Sequence, residues 1–465
     1  MNNIKHKISI LIFLSFTFFC YCENNEFLKI ENIADLCLYA IENNSDICLL
    51  KTELKSASKN LTGTYLSYLP VINPKGGIEY IQKDGFNFKE PQAYFFGLEL
   101  IQRIPGVGIL TLNPKVTHEE EFLFSLDYTF TQTTFPFWYK WKGRNPVTNI
   151  PRIIKTGAEL NFYEAKYNLI DLILTSLQNY KQIIFALKIT EKQIELSQIQ
   201  SKSYSELLET NGGSWMNYFE AEKKLTDYEK IKEELLKEKT ELEFELKNLF
   251  CTNCDINDFK KVLEKCLDAD IKSDDAEMTG SWEKLFISYF PEWTYSFYHE
   301  IEVLKLQSVK DMNESEYLLK RENLAPQFYI NGNVSYTKEN RHDISCTVGF
   351  DFSNFLNGEK ISYKTEYKQK NLIYEKQLEL LKEEKNSREN FYTQNLLEKS
   401  NEYIKRKKEV EARKKIMDDM KKLYEQNLCS KTDFMECEIM YFQTFYNFIL
   451  LDDEITYYKL LLGKL

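Results

Sequence analysis

The sequence lacks the marks of several large functional classes. It has no basic excess: 60 Lys and Arg stand against 71 Asp and Glu, a net charge of −11, so it carries no electrostatic footprint for nucleic acid. No glycine-rich phosphate loop ending in Gly-Lys-Ser/Thr is present, which removes that route to powering transport. Of its 4 histidines, His118, His299 and His342 are isolated, with no His-Glu-x-x-His pair, and no serine sits in a Gly-x-Ser-x-Gly elbow. An enzyme and a bound cofactor are therefore not expected. Beyond the N-terminus, no apolar run approaches the roughly 20 residues a membrane-spanning helix needs.

The N-terminus itself is basic and then apolar. Lys5 and Lys7 precede Ile8–Phe19, a run too short to span comfortably and typical of a secretory signal. Residues 1–22 are expected to be that signal, with cleavage after Cys22. Acylation of Cys20 or Cys22 is the alternative, opposed by the bulky Phe18, Phe19 and Tyr21. A secreted chain without a spanning helix is soluble or belongs to a β-barrel.

Two stretches say the same thing twice. Pro70, Gly76, Ile78 and Tyr80 recur at one constant offset as Pro326, Gly332, Val334 and Tyr336. Each copy follows a charged helical stretch and opens an alternating segment, which announces a helix–strand–strand–helix unit used twice. The first unit is expected over 23–250 and the second over 283–465, joined by a connector at 251–282 that lies against the outside of the helical rods.

Strands are expected at about 72–82, 121–131, 327–337 and 343–353. From Asp343 to Ser353 the even positions are apolar and the odd ones polar or glycine, and Phe122, Phe124, Leu126, Tyr128 and Phe130 share one face in the same way. Each segment has the length of a tilted outer-membrane strand. Four strands cannot close a cylinder, since about eight is the smallest that fills its interior. Open edges cannot face lipid, so in a membrane several chains must share one barrel. The turn at Lys338–His342 is short, whereas residues 83–120 form a long surface loop with room for an extra hairpin around Ala93–Leu100 and Gly108–Leu112.

Helices are expected at about 30–69, 152–210, 214–250, 283–324, 358–427 and 433–462. Pro70 and Pro326 end the helices before the strands. The pair Gly212-Gly213 breaks one helical hairpin, and Asn427 the other through a left-handed cap. The stretch after Gly358 has neither proline nor glycine as far as residue 427, about 100 Å of rod. Leu396, Tyr403, Val410, Met417 and Tyr424 recur every seven residues, as do Ala221, Tyr228, Leu235, Leu242 and Leu249. That spacing is a coiled-coil seam.

The cysteines leave two readings. Cys251 and Cys254 form a Cys-x-x-Cys pair with Cys266 nearby, so a 251–254 or 254–266 disulfide is open outside the cytoplasm. Zinc is disfavoured because no fourth ligand follows at the usual spacing. Phe137, Trp138, Tyr139 and Trp141 follow the second strand, where they would form an interfacial girdle or pack at the sheet-to-helix junction.

Ile33–Asp46, the junctions Tyr68-Leu69-Pro70 and Leu324-Ala325-Pro326, and the tip from Leu423 to Glu436 follow one another as in the TolC-like outer-membrane efflux proteins, and the mature chain resembles that family nearly throughout. The resemblance implies a mainly α chain with a small β part. Long antiparallel coiled-coil helices would form a periplasmic α-barrel, and three chains would each give four strands to one transmembrane β-barrel. It implies a passive exit duct in the outer membrane that docks through its helix tips onto a periplasmic adaptor and an inner-membrane pump. Tyr424, Asp433 and Glu436 fall where the family narrows its periplasmic aperture with a tyrosine and an acidic pair. Three copies of two carboxylates around an axis would favour cations. Cys429 stands where a basic partner is common, with Lys431 as a substitute, and Asn217 replaces the acid at the first tip. Asp433 and Glu436 also fit a capping box for the last helix. The rival readings are a surface adhesin that uses the 83–120 loop and a periplasmic coiled-coil scaffold.

Overall fold

The computed structural model describes residues 27–79, 93–104, 108–118, 122–133, 145–210, 212–250, 255–272, 289–291, 293–336, 342–352 and 359–464. The N-terminal signal expectation, Cys251, Cys254 and the Phe137–Trp141 cluster lie outside these residues.

Among the described residues, the helices and strands follow in the order α1 (Ile33–Asn43), α2 (Ser45–Leu66), β1 (Val71–Glu79), β2 (Ala93–Ile104), β3 (Gly108–His118), β4 (Phe122–Thr133), α3 (Pro146–Glu209), α4 (Trp215–Leu249), α5 (Ile256–Lys272), α6 (Tyr295–Asn323), β5 (Gln327–Tyr336), β6 (His342–Asp351), α7 (Glu359–Glu425) and α8 (Lys431–Leu462). The chain divides into two compact units, each assembled from separated stretches of sequence. One takes Met1–Leu49, Tyr163–Ile301 and Lys382–Leu465; the other takes Leu50–Phe162 and Glu302–Leu381.

Helix ends depart from the sequence expectation where short polar side chains cap them. The single helix expected over 30–69 is broken at Asn44, whose Oδ1 accepts from the Asp46 and Ile47 amides at 3.0 and 3.2 Å and so starts α2. Its Nδ2 also donates to the Leu249 carbonyl at 3.2 Å. Helix α3 begins at Pro146 rather than 152, because Asn145 Oδ1 accepts from the Val147 amide at 3.1 Å and Pro146 occupies the first helical position, where a missing N–H costs nothing. Between α7 and α8, Asn427 has φ 55°, and the Leu428 amide returns to the Leu423 carbonyl at 2.8 Å. This is the left-handed cap expected there.

In the first unit, the core is built by Trp293 stacked on Tyr167 at 5.2 Å, Phe185 stacked on Tyr446 at 4.2 Å and Phe27 stacked on Phe259 at 5.6 Å. Phe259 belongs to α5, inside the expected connector. Phe259, Val262, Leu263, Cys266 and Leu267 are all buried. Their spacing is the apolar stripe of an amphipathic helix, so part of the connector is core. A buried carboxylate joins three of this unit's helices: Tyr180 on α3 donates to Glu243 on α4 at 2.9 Å, and Lys260 on α5 pairs with it at 2.7 Å.

The second unit holds the sheet and helix segments around it. Tyr317 and Tyr367 stack at 4.4 Å, and Lys310 pairs with Glu375 at 3.0 Å between α6 and α7. The sheet is a six-stranded antiparallel meander in the order β1-β2-β3-β4-β5-β6. This corrects the expectation of four strands per chain. The extra hairpin expected around Ala93–Leu100 and Gly108–Leu112 is present as β2 and β3, but it belongs to the sheet, inserted between β1 and β4, rather than to a surface loop.

Candidate membrane-facing sheet and helical tips

The register gives the sheet a simple rule. Paired residues such as Ile72 with Leu100, Leu100 with Leu112, Leu112 with Tyr128, Tyr128 with Gly332 and Gly332 with Cys346 are all even-numbered. Opposite residues share a face and alternate residues change face. Even positions in all six strands therefore lie on one face and odd positions on the other.

The even face carries no Asp, Glu, Lys or Arg. It presents Ile72 and Ile78, then Tyr94, Phe96, Leu98 and Leu100, then Leu110, Leu112 and Val116 across the first three strands. It continues with Phe122, Phe124, Leu126 and Phe130, with Phe328, Ile330 and Val334, and with Ile344, Val348 and Phe350. None of these side chains is buried and many are exposed, Phe96 by 62%, Phe122 by 66% and Ile344 by 72%. Every charged strand residue is odd: Lys75, Glu79, Glu99, Arg103, Lys115, Asp127, Asp343 and Asp351. Several pair on that face, with Lys75 Nζ 3.0 Å from Glu99, Asn333 bonded to Asp127, and Lys115 over the Phe95 ring at 4.4 Å.

Aromatic rings gather at both ends of the apolar face. Tyr94, Phe96, Phe122, Phe124 and Tyr336 lie towards the β3–β4 and β5–β6 turns, and Phe130, Phe328 and Phe350 lie towards the helix-connected ends. Aromatic girdles flanking an aliphatic belt mark both interfaces of an outer-membrane barrel. The expected girdle residues Phe137, Trp138, Tyr139 and Trp141 lie outside the described residues, and these rings sit at even strand positions that were not singled out for that role from the sequence. In the middle of the sheet, Tyr128 lies over Gly332 and fills the space a Cβ would occupy, which explains the glycine.

Among the described residues, β1 and β6 each pair on one side only, leaving two open edges on an apolar-faced sheet.

The expected aperture residues sit at the α7–α8 tip, in the first unit. Tyr424 stacks on Phe434 at 5.5 Å with an interplanar angle of 7°. Asp433 and Glu436 are exposed. Ser430 caps α8: its Oγ accepts from the Asp433 amide at 3.0 Å, while the Asp433 carboxylate accepts from the Ser430 amide at 3.3 Å. The capping box is therefore Ser430 to Asp433 rather than Asp433 to Glu436, since α8 starts at Lys431. Glu436 Oε1 accepts from Gln200 Nε2 of α3 at 3.3 Å, and Lys431 pairs with Glu195 at 3.4 Å. Burial, followed by the Glu436 and Asp433 charges, raises the pKa of the neighbouring Cys437 thiol. At the α3–α4 tip Ser214 caps α4, and Trp215 and Met216 stand 65% and 67% exposed with no acid at Asn217.

Cys266 carries a free buried thiol whose pKa burial pushes up to about 12; Cys37 is likewise raised to about 12, by burial first and then by Cys266. Among the described residues, no group of His, Cys, Asp and Glu could hold a metal ion.

No family model matches the sequence, and no curated protein matches it. Solved structures do match. The Campylobacter jejuni CmeC outer membrane channel superposes with a TM-score of 0.56 at 13% identity, over 94% of this chain and 87% of that one. The outer-membrane channel OprN gives 0.55 at 11% identity, over 92% and 88%. CusC, whose structures concern transmembrane channel formation, gives 0.53 at 12% identity, over 93% and 92%. The fold is that of the TolC-like outer-membrane channels. Against the four strands expected from the alternation and from the resemblance, the chain carries six in its sheet. No described helix is long and apolar enough to cross a membrane.

Proposed function

We propose that the chain is the outer-membrane exit duct of a multi-component export system. It acts as a passive homotrimeric channel, with strands in the membrane and helices reaching into the periplasm towards an adaptor and an inner-membrane pump. One observation carries the reading: six strands hold every charge on one face and expose aliphatic and aromatic side chains on the other. A water-soluble sheet would cover the apolar face, whereas a shared barrel turns it to lipid and the charged face to an aqueous lumen. The open β1 and β6 edges require neighbours, since unpaired backbone groups are too costly in hydrocarbon.

The rival readings fit less well. An adhesin built on residues 83–120 would need that segment free, yet residues 93–104 and 108–118 are strands within the sheet. A soluble scaffold has no use for the exposed Phe96, Phe122 and Ile344. The exposed Trp215 and Met216 at the α3–α4 tip suit docking onto a protein partner. Tyr424, Asp433 and Glu436 would line the periplasmic aperture, with Asp433 also capping α8.

The test is oligomer mass in detergent combined with conductance in planar bilayers. A trimer that aggregates without detergent and conducts with cation preference is expected. A monodisperse monomer in plain buffer would overturn the reading.

A further inference from the structure

We infer that each chain contributes six strands to the membrane wall, so that three copies build an 18-stranded barrel from three sets of six; this rests on the homotrimeric duct proposed above. The β2–β3 hairpin is no surface ornament. It lies between β1 and β4, and β1 has no other hydrogen-bonded neighbour among the described strands. Its register continues the even–odd rule without a slip: Tyr94, Phe96, Leu98 and Leu100 face the same way as Leu110, Leu112 and Val116, while Glu99, Arg103 and Lys115 join the charged face. A one-residue slip would have sent those charges to lipid. At 12 and 11 residues, the two strands match the length of β4 to within a residue. Strands of that length, tilted by about 40°, rise roughly 28 Å, enough for the apolar band of an outer-membrane barrel.

The occupant of each open edge is a second copy of this chain. In a six-strand meander the first and last strands run in opposite directions, so β6 of one copy meets β1 of the next as an antiparallel pair. The even–odd rule then continues around the ring. Strand spacing of about 4.8 Å at that tilt gives a ring with six strands per copy a backbone diameter of about 36 Å, against about 24 Å for a ring with four. The wider ring holds an aqueous channel. The two added strands bring Glu99, Arg103 and Lys115 to the lumen, where Glu99 pairs with Lys75 of β1.

Imaging of the detergent-extracted full chain tests this directly. Three sets of six strands are expected around one axis. A trimer with three sets of four, its β2–β3 hairpin outside the wall, would overturn the inference and leave the duct standing. A particle of one chain would overturn the duct itself. A second measurement avoids dependence on image quality. Leu98→Cys and Leu112→Cys, made with the exposed Cys48 and Cys346 replaced by Ser, are treated in membranes with a charged aqueous maleimide. Protection of about tenfold or more relative to Thr111→Cys is expected when lipid covers both sites. Equal labelling of all three would overturn the inference.

Discussion

A single arginine placed on either face of β3 should distinguish lipid from water. Leu112 and Thr111 are adjacent near the middle of that strand; Leu112 lies between Leu100 and Tyr128 on the even face, and Thr111 between Ile101 and Thr129 on the odd face. Arg at the midplane of an outer-membrane barrel costs about 2–4 kcal/mol on the lipid side. At about 1.4 kcal/mol per decade, a central value near 3 kcal/mol lowers the folding equilibrium by roughly 150-fold per chain. Three linked copies would compound it. Thr111→Arg enters a face that already holds Arg103 and Lys115, and should stay within about 1 kcal/mol of the native chain. Leu112→Ala serves as the control for lost side-chain contact. Urea titration of the folded assembly in liposomes reads each penalty from the midpoint at constant slope. Equal costs for the two arginines, or a larger one at Thr111, would refute the assignment of faces.

Other expectations concern the packing of each unit. Glu243→Ala should cost about 1–3 kcal/mol in urea unfolding, because the buried Tyr180 hydroxyl loses its acceptor; no loss at all would remove the cluster's structural role. Native Cys37 and Cys266, held near 12 by burial, should resist iodoacetamide at about pH 8 while exposed Cys48 reacts. Their thiolate fraction there is about one in ten thousand, and mass spectrometry that finds them labelled first would contradict the burial. Gly332→Val should displace the Tyr128 ring and lower assembly yield, and Tyr128→Ala in the same chain should recover part of it; no rescue would argue against that contact.

What the sequence disclosed and what it hid follow physical lines. Strands β4, β5 and β6 were legible because their alternation between apolar and polar residues is nearly unbroken, as one face meeting an apolar medium and the other water requires. The β2–β3 hairpin was read only as an extra within a surface loop, because Phe95, Ile101 and Gln102 blur its alternation and Pro91, Pro105, Gly106, Gly108 and Pro114 punctuate the stretch as a loop would. Pro114 nonetheless lies inside β3, paired with Leu126. Helix α5 was hidden by the acidic residues and the Cys-x-x-Cys pair around it, although Phe259, Val262, Leu263, Cys266 and Leu267 spell a helical stripe. Helix boundaries failed at Asn44 and Asn145, where one side-chain oxygen supplies the cap and the local composition hardly changes. The left-handed turn at Asn427 was readable because few residues tolerate it. Tyr424, Asp433 and Glu436 share one helical tip, as their order in the chain suggests, while the cap of α8 shifted to Ser430 because the helix starts earlier than expected.

The central claim is that even-numbered strand residues meet lipid and odd-numbered ones meet water. Spin labels placed singly along β4, from Phe122 to Thr133, report collisions with oxygen and with a water-soluble nickel chelate in the reconstituted membrane. The account predicts a period of two: oxygen dominates at Phe122, Phe124, Leu126, Tyr128 and Phe130, and the chelate dominates at Leu123, Ser125, Asp127 and Thr129. Accessibility to the chelate without alternation along the strand would contradict it.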